Sequence, residues 1–326
     1  MRNSAGIFLL SKRSSEGLVH MIYDKPPLTF EQQSDLLLQR GLIADRNELI
    51  LRLSVVNYYR LSGYLFPYRQ EDDSFAPGTT LEVVWRRYSF DRRLRVLILD
   101  AIERIEVAVR TKLVHHLAHH VPEQAKAPVG AFGHLEINCF PGFKSAADYL
   151  KWRLKLAGET DRAKSERFVQ HFRIKYGTTH RELPLWAVVE LMSFGSVLSM
   201  ASHVVPAVQK QVAGDFGFPD EHFISWLRSL LVLRNACAHH DRIWNRESGK
   251  PATPQRNKFP LWHAEPQIPN DRTGYMLTIC HFWLGKISHT TQWKHRLFAL
   301  FDEFPETPLE PMGLPPDWRN HPLWKS

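Results

Sequence analysis

Cysteine is scarce: Cys139, Cys237 and Cys280 are the only three in 326 residues, too few and too far apart for a disulfide framework, so a reducing compartment fits. No apolar run approaches the ~20 residues that span a membrane. The start, Met1-Arg2-Asn3-Ser4-Ala5-Gly6-Ile7-Phe8-Leu9-Leu10, has too short an apolar core for a secretion signal. Together these absences predict a soluble cytoplasmic protein with no membrane partner. Clean strand alternation is nearly missing, as are internal repeats and low-complexity tracts, so the expected fold class is all-α. Metal-ligand spacing is missing too. Cys237 and His240 are distant in sequence from Cys280 and His281, and His240 would point about 100° away from His239 on a helix. Neither a metal nor a cofactor is expected.

Positive charge is in excess. Lys and Arg number 42 against 34 Asp and Glu, a formal charge of +8 and a pI near 9.4, which favours polyanionic partners, nucleic acid first.

Helical periodicity organises the chain. Residues 1–20 read as a flexible extension, with Met21 as an alternative start. The segment 21–80 reads as an N-terminal helical region. It holds a helix from Phe30 to Arg40 and another entered through a capping box at Asp45 and Glu48 and running to Tyr59. Gly63 and Pro67 are then expected to bend an aromatic stretch. The longest helix is expected from Leu81 to His119, with Leu94, Ile98, Ile102, Ile105 and Val109 as its apolar stripe. Further helices are expected at 147–156, 162–176, 184–204 and 221–244, the last closing a catalytic region of 81–250. A proline-rich extension, 251–326, carries helices at 276–287 and 291–301 and is expected to pack on the core.

One stretch suggests chemistry: Leu233-Arg234-Asn235-Ala236-Cys237-Ala238-His239-His240-Asp241-Arg242. It contains Arg-Asn-x3-His at the polar edge of an amphipathic helix. On a helical wheel Arg228, Asn235, His239 and Arg242 cluster on one face, about 80–140° from Arg234. Two guanidiniums, an amide and an imidazole suit a phosphodiester. A neutral imidazole can take the proton of a ribose 2′-hydroxyl, which attacks the adjacent phosphorus, while a guanidinium neutralises the charge that develops. Arg234 lies off the cluster, so in a straight helix it must reach round, meet an irregularity or act on a second chain. Plainer readings stand beside these: His239 as a surface histidine, and Arg234 as an arginine paired with a carboxylate.

These residues sit among stretches that resemble the Abi family of bacteriophage abortive-infection proteins, the AbiD/AbiF-like group, from about Lys25 to Trp324. The matching stretches are Asn57-Tyr58-Tyr59-Arg60-Leu61-Ser62-Gly63-Tyr64, Phe90-Asp91-Arg92-Arg93-Leu94-Arg95, Ala101-Ile102-Glu103-Arg104-Ile105-Glu106, Leu183-Pro184-Leu185-Trp186 with Glu190 and Ser193-Phe194-Gly195, and the segment 233–240. That family is similar to the HEPN superfamily of helical bundles, many of them RNases with an Arg-x4–6-His motif. The resemblance implies a HEPN-like bundle and a dimeric, metal-independent endoribonuclease toxin, with Arg234, Asn235 and His239 in its motif positions. RNA is the implied substrate, and a regulatory non-coding RNA a possible further partner.

Supporting residues follow. His240 adjoins the motif, and Glu103, Glu106 and Arg110 flank the apolar face of the long helix. One of these carboxylates can brace Arg234 or His239, although an intrahelical Glu106–Arg110 pair accounts for the same spacing. Glu190 is another brace. Arg86, Arg87, Arg92, Arg93 and Arg95 form the densest basic run, with Arg228 and Arg242 as further RNA contacts; a solvated helix face is the alternative. Tyr58, Tyr59, Tyr64, Phe66 and Tyr68 can stack bases or fill a core. The rival function is a non-catalytic RNA-binding module. A DNA-binding regulator lacks a basic recognition helix in the 30–60 region.

Overall fold

The computed structural model describes residues 26–123, 125–217, 220–247, 249, 251 and 256–325. The expected extension 1–20 and Met21 lie outside them. Helices dominate, and among the described residues no strand forms beyond three isolated bridges; the class is all-α. The described chain forms two compact units. One comprises the residues up to Leu61 with Tyr68–Leu81, and the other Ser62–Pro67 with Glu82 onward.

In the first unit, α1 (Phe30–Gln39) opens on a capping box between Thr29 and Gln32. Helix α2 (Arg46–Val55) is capped by Asp45, which accepts the Glu48 amide at 2.8 Å. The return half of the box expected here does not form, since the Glu48 carboxylate accepts from Arg52 at 3.2 Å instead. Leu37, Leu49, Leu53 and Phe75 are buried as this unit's core. The second helix stops at Val55 rather than Tyr59, and α3 (Tyr58–Leu65) takes up the aromatic stretch. Gly63 therefore lies within a helix and does not bend it, and Pro67 falls in the short 3₁₀ turn Phe66–Tyr68. A side chain at Gly63 would stand in ordinary contact, 3.4 Å, with the Arg242 guanidinium, and the Gly63 carbonyl accepts from that same group.

The second unit is built on α4 (Leu81–Ala118), 38 residues and about 57 Å long. Phe90, Leu94, Ile98, Ile102, Ile105, Val109, Leu113 and Leu117 are all fully buried along one stripe, each contributing about 1.5–3 kcal/mol. After 3₁₀ turns at 130–139 come α5 (Ala146–Arg162), α6 (Arg167–Tyr176), α7 (Leu185–Leu191) and α8 (Phe194–His203).

The single helix expected over 184–204 is thus two helices. Ser193 caps α8, and buried Glu159 from α5 accepts from the Ser193 amide and from the Ser193 and Ser196 hydroxyls at 2.8–3.3 Å. Helix α9 (Pro206–Asp215), opened by Pro206 in its first turn, was not expected. Its signal was a proline suited to a helix start.

Helix α10 (Asp220–Ala238) buries Phe223, Trp226, Leu227, Leu230, Leu233 and Cys237. Beyond it, α11 (Thr273–Ile287), α12 (Trp293–Glu303) and the terminal turn α13 (Pro322–Lys325) pack a tryptophan-rich core. There the Trp324 indole stacks on His281 at 4.7 Å and donates to the Thr278 hydroxyl at 3.1 Å.

The end of α10 departs from expectation and matters most. The helix ends at Ala238, not near Trp244. His240 has φ 61°, its amide donates to the Cys237 carbonyl at 3.1 Å, and the Asp241 amide donates to the Ala236 carbonyl at 2.8 Å. These two bonds form a Schellman stop with histidine where glycine is usual. A left-handed L-residue costs about 1–2 kcal/mol, and a β-branched side chain tolerates the conformation least. His240→Val should therefore lower stability by about 1–2 kcal/mol in urea titration, whereas His240→Gly should stay within about 1 kcal/mol of wild type. Equal stability of the two variants would show that the turn is not held as described.

Candidate functional site

The Arg-Asn-x3-His residues occupy the last turn of α10 and its stop. Arg234, Asn235 and His239 are all exposed, while Ala236 and Cys237 between them are buried. Burial pushes the Cys237 thiol up to about 12, which removes it as a nucleophile. The Arg234 guanidinium donates to the Asn235 side-chain carbonyl at 3.3 Å, joining the first two motif residues. The His239 amide donates to the Asn235 carbonyl at 2.9 Å. Among the described residues the exposed His239 side chain has no hydrogen bond or ion pair.

Behind the motif lies α4. Glu106 pairs with Arg110, and Arg110 also donates to the Met192 carbonyl at 2.6 Å. Burial pushes the Glu106 carboxyl above the ordinary carboxylate range, against the pull of the Arg110 and Arg234 guanidiniums. Glu106 is thus the carboxylate whose charge Arg234 feels, while its direct partner is Arg110. Glu103 and Glu190 are exposed, and among the described residues neither forms an ion pair.

The turn that carries His239 is held by a residue the sequence did not single out. Asp91, fully buried on α4, accepts from the Tyr64 hydroxyl at 2.6 Å, from Arg95 at 2.6 Å, and from the amides of Ile243 and Trp244 at 3.1 and 2.6 Å. Arg95 also donates to the Asp241 carbonyl at 3.0 Å. Burial pushes the Asp91 carboxyl up, against the pull of Arg95 and of the Tyr64, Ile243 and Trp244 donors. The available signal was a charged pair at i, i+4 beside the apolar stripe of α4.

This network corrects several assignments. Arg95 is buried against Asp91, and Arg87 is buried with its guanidinium 4.6 Å from the Trp244 ring, so both lie within the packing rather than on an RNA surface. Arg242 is off the helix, and its guanidinium donates to the Gly63 carbonyl; it does not share a face with His239. Arg86 pairs with Glu306 at 2.6 Å and Arg93 pairs with Glu303. Only Arg92 of that run is exposed without an ion pair among the described residues. Tyr64 belongs to the Asp91 network and Tyr58 accepts from Arg40 at 3.3 Å. Tyr68 is half-buried, leaving Tyr59 and Phe66 as the exposed aromatics of the set.

Along α10, on the face of Asn235 and His239, a cavity of about 220 Å³ opens between Ser225, Arg228, Ser229, Val232, Leu233 and Arg246. Among the described residues no group of three or more His, Cys, Asp or Glu side chains is placed to hold a metal ion, and no helix is long and apolar enough to cross a membrane.

Fold and site together define an all-α protein with a polar Arg-Asn-x3-His patch at the stop of a buried helix. The model of the Abi-like protein family matches residues 52–245, more than half of the chain and all of this site, and the protein belongs to that family. The membership associates it with abortive infection, a defence against bacteriophage. No curated protein and no solved structure matches the chain.

Proposed function

We propose that this protein is a metal-independent endoribonuclease toxin of abortive infection, of the HEPN type and the AbiD/AbiF-like group, acting in the cytoplasm as a homodimer. The observation that carries the reading is the exposed imidazole of His239, without a hydrogen bond or ion pair among the described residues, four residues after the hydrogen-bonded Arg234–Asn235 pair. His239 takes the proton of a 2′-hydroxyl, and the freed oxygen attacks phosphorus in line and expels the 5′-oxygen. Arg234 neutralises the equatorial oxygens, and Asn235 both orients the guanidinium and offers its amide N–H to phosphate. Glu106, paired with Arg110, adds a carboxylate whose charge the Arg234 guanidinium feels.

One chain supplies one imidazole, while in-line transfer uses a base and an acid. Arg234 also leaves α10 on the side away from His239. Two copies of α10 facing across a two-fold axis bring both residue types together and supply the second imidazole.

The products test the chemistry. Cleavage of total cellular RNA should persist in excess EDTA and leave 2′,3′-cyclic phosphate ends, detected by end-group analysis. Activity that vanishes on chelation and returns with Mg²⁺ would overturn the mechanism.

A further inference from the structure

We propose that the cavity on α10 is a second phosphate-binding subsite, which takes the RNA strand several nucleotides from the bond cut at the motif; the proposal rests on the ribonuclease reading above. Its lining combines two arginines, Arg228 and Arg246, two serines, the apolar Val232 and Leu233, and Gly249. This is the mixture that grips a phosphate while leaving a surface for ribose or base. Arg228 is exposed and has no ion pair among the described residues. Val232, half exposed, is an apolar residue uncovered on an otherwise polar face. At about 220 Å³ the space is below the ~300–1,000 Å³ of pockets that enclose a whole drug-sized ligand, which fits part of a nucleotide and not a dinucleotide cofactor.

Register along the helix connects cavity and motif. Ser225, Arg228, Val232, Asn235 and His239 follow one another at three- and four-residue steps and share a face. Val232 lies about 10 Å and Arg228 about 16 Å from His239 at 1.5 Å per residue. With one phosphate every ~3.4 Å or more along a strand, an RNA crossing the motif reaches the cavity within a few nucleotides.

A second connection is electrostatic. Arg246 pairs with Asp241 at 3.0 Å, both partly exposed, and Asp241 stands two residues after His239 in the Schellman stop. Phosphate entering the cavity competes with Asp241 for Arg246. Asp241 therefore acts as a brake on RNA binding, and its removal should tighten the complex.

The test reads binding alone, in a His239→Ala background that leaves the probe uncut, with a fluorescein-labelled single-stranded RNA 12-mer followed by anisotropy. Arg228→Gln and Arg246→Gln should each weaken binding roughly three- to tenfold at 0.1 M salt. Each should also flatten the slope of log K against log salt by about 0.7, the contribution of one single-strand phosphate. Asp241→Asn should tighten binding by roughly 1.5- to fivefold, the range of an exposed ion pair. That gain should disappear in the double variant Asp241→Asn/Arg246→Gln. Millimolar AMP should not displace the RNA.

Unchanged affinity and slope in both arginine variants would overturn the subsite while leaving the cleavage reading standing. So would a gain from Asp241→Asn that survives loss of Arg246, or displacement by millimolar AMP. If wild type cuts no RNA while the arginine variants still lose affinity, the cleavage reading fails and the subsite stands. Unchanged circular dichroism and melting of these surface variants confirm that the comparison is between folded proteins.

Discussion

His239→Ala should reduce RNA cleavage by about 10²–10⁴-fold, the range of a single general base or acid, with the fold unaltered. The side chain is exposed and makes no bond among the described residues, so its removal leaves no cavity and breaks no pair. Affinity for RNA should stay nearly constant, because a polyanion is held by many charges at once. A gel assay of cleavage beside anisotropy on the same variant separates the two effects. If wild type and variant bind equally and neither cuts any cellular RNA, the protein is an RNA-binding module and not an enzyme. Mixing wild-type and His239→Ala chains extends the test to the proposed dimer. Heterodimers lacking one imidazole should show much reduced activity, and an active monomer by sedimentation at assay concentration would exclude the shared site.

Asp91→Ala should destabilise the protein by about 3–5 kcal/mol, the cost of leaving a buried arginine without its carboxylate. Arg95 would keep its charge inside the core with only the Tyr64 hydroxyl and the Asp241 carbonyl as partners. The amides of Ile243 and Trp244 would lose their acceptor as well. Because these amides fix the chain just after the Schellman stop, any folded fraction should also place His239 less accurately, and cleavage per folded molecule should fall. Urea denaturation measures the first effect and activity corrected for the folded fraction the second. A stability loss below about 1 kcal/mol would mean that solvent replaces Asp91 and that the network is not the anchor of the turn.

Helix α4 is legible in the sequence because its apolar residues recur every three or four positions from Phe90 to Leu117, about eight turns, and no other element could bury such a stripe. Helix α1 and the Asp45 cap of α2 are legible for similar local reasons. What escapes is what distant residues decide. The periodicity of α10 runs on through Arg242 and Trp244, yet the helix stops at Ala238, because Asp91, some 150 positions earlier, captures the next amides. The break between α7 and α8 depends in the same way on Glu159 reaching Ser193 from α5.

Charge misleads for a related reason. Arg86, Arg87, Arg92, Arg93 and Arg95 form one basic run in sequence. The helix turns Arg87 and Arg95 inward, and carboxylates at Glu303 and Glu306, far along the chain, take up Arg93 and Arg86. Their exposure depends on partners that a helical wheel does not contain. The motif residues lie at the end of an amphipathic helix whose polar edge is visible locally, and they are found exposed there.

The turn after α10 is closed from both directions of the chain. Asp91 has been made long before it, whereas the Ile243 carbonyl accepts from the Thr273 hydroxyl at 2.8 Å and the Trp244 indole donates to the Pro308 carbonyl at 3.0 Å. The last of these partners is synthesised 64 residues after Trp244, roughly 3–13 s later at about 5–20 residues per second. A ribosome that has already delivered Arg234, Asn235 and His239 therefore carries them on a turn whose support is unfinished. For a protein that would cut the RNA around it, this delay postpones assembly of the motif until those 64 further residues have been made, and a chain terminated before them leaves the motif without its downstream anchors.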